Sequence, residues 1–123
     1  MASDQEVESF IRATFRSTWS LETLLLLRRD SERWWTRGDI VASLRASDLV
    51  VSNSLERLCV AGLVMVEEGG TARYQPVDPA LDDLVEGTEQ LYARSPDAVR
   101  RMIVAATNPG ITAFADSFRL KKD

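Results

Sequence analysis

Residues 47–77, SDLVVSNSLERLCVAGLVMVEEGGTARYQPV, limit what this chain can fold into more than any other stretch. Ser47 offers a helix cap, and Val51, Leu55 and Leu58 recur after it at spacings of four and three, the period of a helix with one buried face. The helix is expected to end at Ala61 and Gly62. Beyond it, Leu63, Val64, Met65 and Val66 are too apolar and β-branched for a loop, and Gly69 with Gly70 folds them back onto Ala72, Arg73, Tyr74, Gln75 and Pro76. A helix leading straight into a two-stranded hairpin is predicted. Neither can bury its apolar side alone, so the rest of the chain must supply a common interior.

The preceding residues read as three helices. Ser3 and Glu6 match a capping box, opening a helix to about Phe15 or Arg16 that buries Val7, Phe10, Ile11 and Thr14 or Phe15. Ser17 and Thr18 offer a second cap before a helix over residues 19–29. Trp19, Leu21 and Leu24 to Leu27 make that helix apolar around most of its circumference, as expected of a central helix wrapped by others. Arg28 and Arg29 suit the negative pole at its end. A polar loop follows, and then Trp34 and Trp35, a pair expected to plug the core with one ring buried and the other half covered. Thr36 and Asp39 form another cap, for a short helix from Arg37 to about Leu44 with Ile40, Val41 and Leu44 inward. Arg45 and Ala46 make the turn into the Ser47 helix.

After the hairpin, Asp78 followed by Pro79 is a strong helix start. That helix is expected to reach about Arg94, burying Leu81, Leu84, Val85, Leu91 and Tyr92. Ser95 and Pro96 restart a helix with Val99, Met102, Ile103 and Ala106 on one face and Arg100 and Arg101 on another. A short last helix over residues 111–118, anchored by Phe114 and Phe118, closes the pattern. The one joint in sight lies at residues 76–79. It divides the chain into residues 1–77 and a helical extension, residues 78–123, which packs on the first part or forms a dimer interface.

Composition then removes several chemistries. Apolar residues make up 45% of the 123, enough for a continuous core. The apolar run at residues 24–27 is far shorter than the roughly 20 residues a membrane span requires, and no charged-then-apolar leader precedes it; a cytoplasmic protein without membrane contact is expected. The single cysteine, Cys59, excludes an internal disulfide. The absence of histidine excludes serine–histidine and cysteine–histidine catalysis and classical zinc sites. The acidic pairs Glu67, Glu68 and Asp82, Asp83 have no convergent partner and are read as solvated charges, and the glycine pair lies in a hairpin rather than a phosphate-binding loop. No enzyme, metal or cofactor is expected. Net charge is −4 with a pI near 4.9. Residues 36–75 carry Arg37, Arg45, Arg57 and Arg73 against Asp39, Asp48, Glu56, Glu67 and Glu68, four cations to five carboxylates and a net −1.

The order of elements, with LERLCVAGLV closing a second helix and a glycine-closed hairpin after it, resembles the bacterial winged helix-turn-helix regulators of the MarR-like kind, most closely over residues 20–77. The resemblance implies a mainly α (α+β) fold, a winged helix-turn-helix with a two-stranded wing and extra C-terminal helices. It also implies a transcriptional regulator that places its second helix in the major groove and its wing along the backbone. On that geometry the DNA contacts are Arg37, Arg45, Ser52, Asn53, Arg57 and Arg73, with Asn53 able to pair with adenine. Such regulators dimerise through helices outside the reading head, here the first helix and residues 79–94 and 96–107, so a homodimer is expected. They often bind aromatic or hydrophobic effectors between the central and C-terminal helices, where Trp19, Trp34, Trp35 and Tyr92 are available.

The chain departs from that pattern at Asp48, Glu56, Glu67 and Glu68, since DNA-binding members usually place Arg or Lys at several of the positions on this helix and wing. A second reading therefore stands beside the first: a protein-docking module without DNA binding, presenting Asp48, Leu49, Val50 and Glu56 to a basic component of the transcription or signalling machinery. Cys59 is expected to be a small buried or half-buried packing residue, since no cation but Arg57 adjoins it to stabilise a reactive thiolate.

Overall fold

A computed structural model of the chain describes residues 2–107; the helix expected over residues 111–118 lies outside them. Six helices and a two-stranded antiparallel sheet follow one another as α1 (Asp4–Thr14), α2 (Thr18–Arg29), α3 (Arg37–Leu44), α4 (Asp48–Val60), β1 (Val64–Val66), β2 (Ala72–Tyr74), α5 (Pro79–Arg94) and α6 (Pro96–Thr107). No helix among the described residues is long and apolar enough to cross a membrane.

The helix starts follow from side chains that accept the first free amides. Ser3, Thr36, Ser47 and Asp78 each cap the helix they precede, and Ser3 with Glu6 closes a reciprocal capping box. Ser17 does the same for α2, with Ser20 returning the bond, so that helix begins one residue earlier than the apolar pattern alone indicates. Each such cap contributes about 1 kcal/mol. The α3 helix ends at Arg45 in the left-handed conformation with φ 55, and Ala46 closes the end by donating to Val41. At the end of α4, Gly62 takes φ 77 and Leu63 donates to the carbonyl of Leu58. A side chain at Gly62 would resist that φ, and the bond is what swings Leu63 back into the interior.

One interior serves all of these elements. Leu21, Leu24 and Leu27 of α2 are fully buried among Ile11 and Phe15, Ile40, Leu58, Leu63, Val85 and Ile103. Each fully buried leucine contributes roughly 1.5–3 kcal/mol of apolar burial. The α2 helix is thus the hub, packed by α3 and α4 on one side and by β2 on another, while α5 and α6 pack on α1 and on each other. Trp19 is the exception to its apolar circumference, at 41% exposure. The hairpin pairs Val64 with Tyr74, Met65 with Arg73 and Val66 with Ala72. Trp35 adds one more rung, exchanging both backbone bonds with Ala72 at 2.7 and 2.8 Å. That bridge orients the tryptophan pair: Trp35 is buried, and Trp34 is half covered.

Candidate nucleic-acid interface

The α4 helix sorts its residues by angle. Each residue advances about 100°, so burying Val51, Ser54, Leu55 and Leu58 on one side leaves Leu49, Asn53, Glu56 and Val60 along the opposite edge. Leu49 is 69% and Val60 78% exposed. Val50 and Arg57 fall on one flank, with Ser52 and Cys59 on the other. Cys59 is exposed, contrary to the packing role expected of it, because Leu58 takes the inward slot and turns its successor outward.

On the Val50 and Arg57 flank, α4 and the start of α2 enclose a groove of about 290 Å³. Arg16 and Ser17 line it from the turn before α2, Trp19 and Ser20 from its first turn, and Val50, Asn53, Ser54 and Arg57 from α4. No carboxylate is part of this lining. Among the described residues no carboxylate lies within ion-pairing distance of Arg16, Arg37, Arg45 or Arg57, whereas Arg12, Arg28, Arg33 and Arg100 are each paired. The groove is therefore a locally cationic surface on an acidic chain. The net charge of −1 over residues 36–75 does not show it, because Arg16 lies outside that region. An arginine directly before the Ser17 cap was the available signal.

The expected contacts are only partly gathered. Asn53 and Arg57 share the groove. Ser52 is half-buried on the other flank, and Arg45 stands exposed at the turn between α3 and α4. Arg37, at the start of α3, reaches towards the tip of the hairpin, where a Cβ on Gly70 would lie 3.8 Å from its Nη2. Arg73 points elsewhere: its Nε donates to the Ser31 carbonyl at 3.2 Å, and its guanidinium lies 5.7 Å from the Trp34 ring centre. Glu67 and Glu68 are exposed near the hairpin turn, and Glu67 accepts from Thr71. Of the alternative docking set, Asp48, Leu49 and Glu56 are exposed, but Val50 turns into the groove.

A second, larger groove of about 590 Å³ lies between α2, α3 and the C-terminal helices. Trp19, Leu26, Leu44 and Tyr92 give it apolar walls, and Glu22, Arg29 and Arg100 give it charge. Trp34 and Trp35, also expected at an effector site, are not part of it. The Tyr92 hydroxyl donates to Glu22 at 2.5 Å and accepts from Arg100 at 3.3 Å. Burial and the neighbouring Glu22 raise the Tyr92 pKa above its ordinary value of 10.0. No group of three or more acidic or cysteine side chains suited to a metal ion occurs among the described residues. Comparison with protein-family models, curated proteins and solved structures gave no match.

Proposed function

We propose that this chain is a winged-helix regulator that binds duplex DNA, with α4 entering the major groove, the β1–β2 hairpin acting as the wing, and two copies reading a two-fold site. The observation that carries this reading is the setting of α4. Its inner face is pinned by Val51, Leu55 and Leu58, its outer edge through Asn53 is uncovered, and an arginine-lined groove without carboxylates runs along its flank. An α-helix is about 10–12 Å across with its side chains, and the major groove of B-DNA is about 12 Å wide. A helix so presented can reach base edges with Asn53 while its flank meets the phosphates.

Leu49 and Val60 favour a second reading, because they extend the same edge as apolar groups and Asp48 and Glu56 add negative charge beside them. Such an edge suits a basic protein surface. A fluorescence anisotropy titration separates the two. Duplexes selected from genomic fragments are bound at low salt, with an affinity that falls log-linearly as salt rises. Asn53→Ala lowers discrimination at one base position without changing the salt slope. No binding of any selected duplex at low salt would end the DNA reading and leave the docking one.

A further inference from the structure

We propose that the groove between the start of α2 and the flank of α4 is a clamp for one phosphate of the DNA backbone. Arg16 and Arg57 are its two jaws, and Trp19 is the apolar wall against the neighbouring deoxyribose. The proposal rests on the DNA reading above and adds to it the pair of residues that sets where α4 sits along the duplex.

Charge complementarity selects the occupant. The chain is −4 overall, yet the lining of this groove holds two arginines and no acid. Neither arginine has a carboxylate within ion-pairing distance among the described residues. A guanidinium offers two parallel donors that match adjacent phosphate oxygens. Arg57 comes from the helix that would lie in the major groove, and Arg16 comes from a different element and faces the same space, so a single phosphate on the groove's rim can be held from both sides.

Asn53 lines the groove as well and sits on the outer edge of α4, which makes base reading and phosphate holding adjacent functions. At the start of α2 the capping bonds already occupy the Ser17 and Ser20 amides. Ser17 accepts from the Ser20 amide at 3.1 Å, and the Ser20 hydroxyl accepts from the Ser17 amide at 3.4 Å. The charged groups that this groove offers a phosphate are the two arginine side chains. Trp19, 41% exposed, lines the groove beside them as an aromatic surface open to solvent.

The test is an anisotropy salt series on one selected duplex, using the wild type, Arg16→Ala, Arg57→Ala, the double variant and Arg101→Ala as an exposed arginine on α6. Arg16→Ala and Arg57→Ala should each weaken binding roughly tenfold and lower the magnitude of the salt slope by about 0.9, the value of one phosphate contact. Arg101→Ala should change neither. Replacing single phosphates of the duplex by uncharged methylphosphonates should identify one position at which Arg16→Ala no longer has an effect. If Arg16→Ala binds as the wild type with an unchanged slope, the clamp is wrong while the DNA reading stands. Weaker binding with an unchanged slope also overturns it, since a merely structural role would act that way. If the wild type binds no duplex at low salt, the DNA reading itself fails and takes the clamp with it. Circular dichroism melts check that the variants fold; both arginines are exposed, so melting should match the wild type.

Discussion

The Tyr74 hydroxyl donates to Oδ1 of Asp82 at 2.6 Å, and this bond ties the second strand of the hairpin to the first turn of α5. Arg28 of α2 completes the junction. Its Nη1 donates to Glu89 at 2.8 Å, its Nε lies 3.8 Å from Asp82, and its guanidinium sits 5.9 Å from the Tyr74 ring centre. Three elements from distant parts of the chain thus meet in one polar cluster, and the hairpin is held from behind while its tip stays exposed.

Tyr74→Phe removes the hydroxyl and leaves Asp82 with only the longer Arg28 contact. The variant should lose about 1 kcal/mol of stability, the usual net worth of one such bond. Urea denaturation measures it, and a cycle with Asp82→Asn should show the two changes to be strongly non-additive, as expected for direct partners. Additive losses would mean that the bond contributes nothing in solution.

The same residue makes a pH prediction. Burial first, and then the Asp82 carboxylate, pushes the Tyr74 phenol far above its ordinary value of 10.0; Tyr92 is raised for the same reasons, with Glu22 as its acceptor. The folded chain therefore holds the protons more tightly than the unfolded one. Stability from these groups is present in full below the ordinary value and is lost progressively as pH rises from there through the raised folded values. Urea midpoints should be flat up to about pH 9 and fall between about pH 10 and 12, more steeply in the wild type than in Tyr74→Phe and Tyr92→Phe. Parallel profiles in all three would refute the linkage.

Gly87 lies in the middle of α5, where alanine would ordinarily gain about 1 kcal/mol of helix propensity. A Cβ there would meet Cγ2 of Val7 at 2.6 Å. Val7 is buried and β-branched, so it cannot swing away without moving α1. Gly87→Ala should therefore destabilise by about 1–3 kcal/mol despite its propensity. Combining it with Val7→Ala should recover part of the loss; no recovery would place the strain elsewhere.

Caps, turns and inward faces were legible because each is set by residues a few positions apart. Thr36 with Asp39, Ser47 with Val51 and Leu55, and Asp78 with Pro79 all carry their signal locally. The long-range pairs had no such signal. Arg28 reads as a charge placed to suit the end of its own helix, yet it faces Glu89, 61 positions away; Asp82 reads as solvated, yet it accepts from Tyr74. The rung between Trp35 and Ala72 was hidden because a single bridging residue has no alternation to detect. Of the candidate interface, Asn53 and Arg57 could be found on α4 from its periodicity. Arg16 carried only the weaker signal of an arginine directly before the Ser17 cap, and it takes the packing of α2 on α4 to bring it to the same groove.

Cys59 tests the helical phase of α4 directly. Its thiol is exposed, so a disulfide-exchange reagent should label it in the native protein about as fast as in urea, and Cys59→Ser should leave stability within about 0.5 kcal/mol. Labelling that waits on unfolding would mean that α4 is rotated from the phase that also puts Asn53 and Glu56 outside.

Glu56 distinguishes the two functional readings by the sign of its effect. It stands on the outer edge of α4, close in angle to Asn53 and Leu49, and is not ion-paired among the described residues. If that edge enters the major groove, the carboxylate opposes the phosphates, and Glu56→Gln should tighten DNA binding by about two- to fivefold at low salt, the range of an exposed charge interaction. The gain should shrink as salt screens it. Asp48→Asn, in the first turn of α4, should act in the same direction on binding while costing some helix stability, since it removes a favourable charge at the positive end of the helix. If the edge instead docks a basic protein surface, neutralising Glu56 weakens the complex and leaves any DNA affinity unchanged. Measuring the variant against the selected duplex across salt decides between them, because the two readings predict different responses to the same change of one carboxylate.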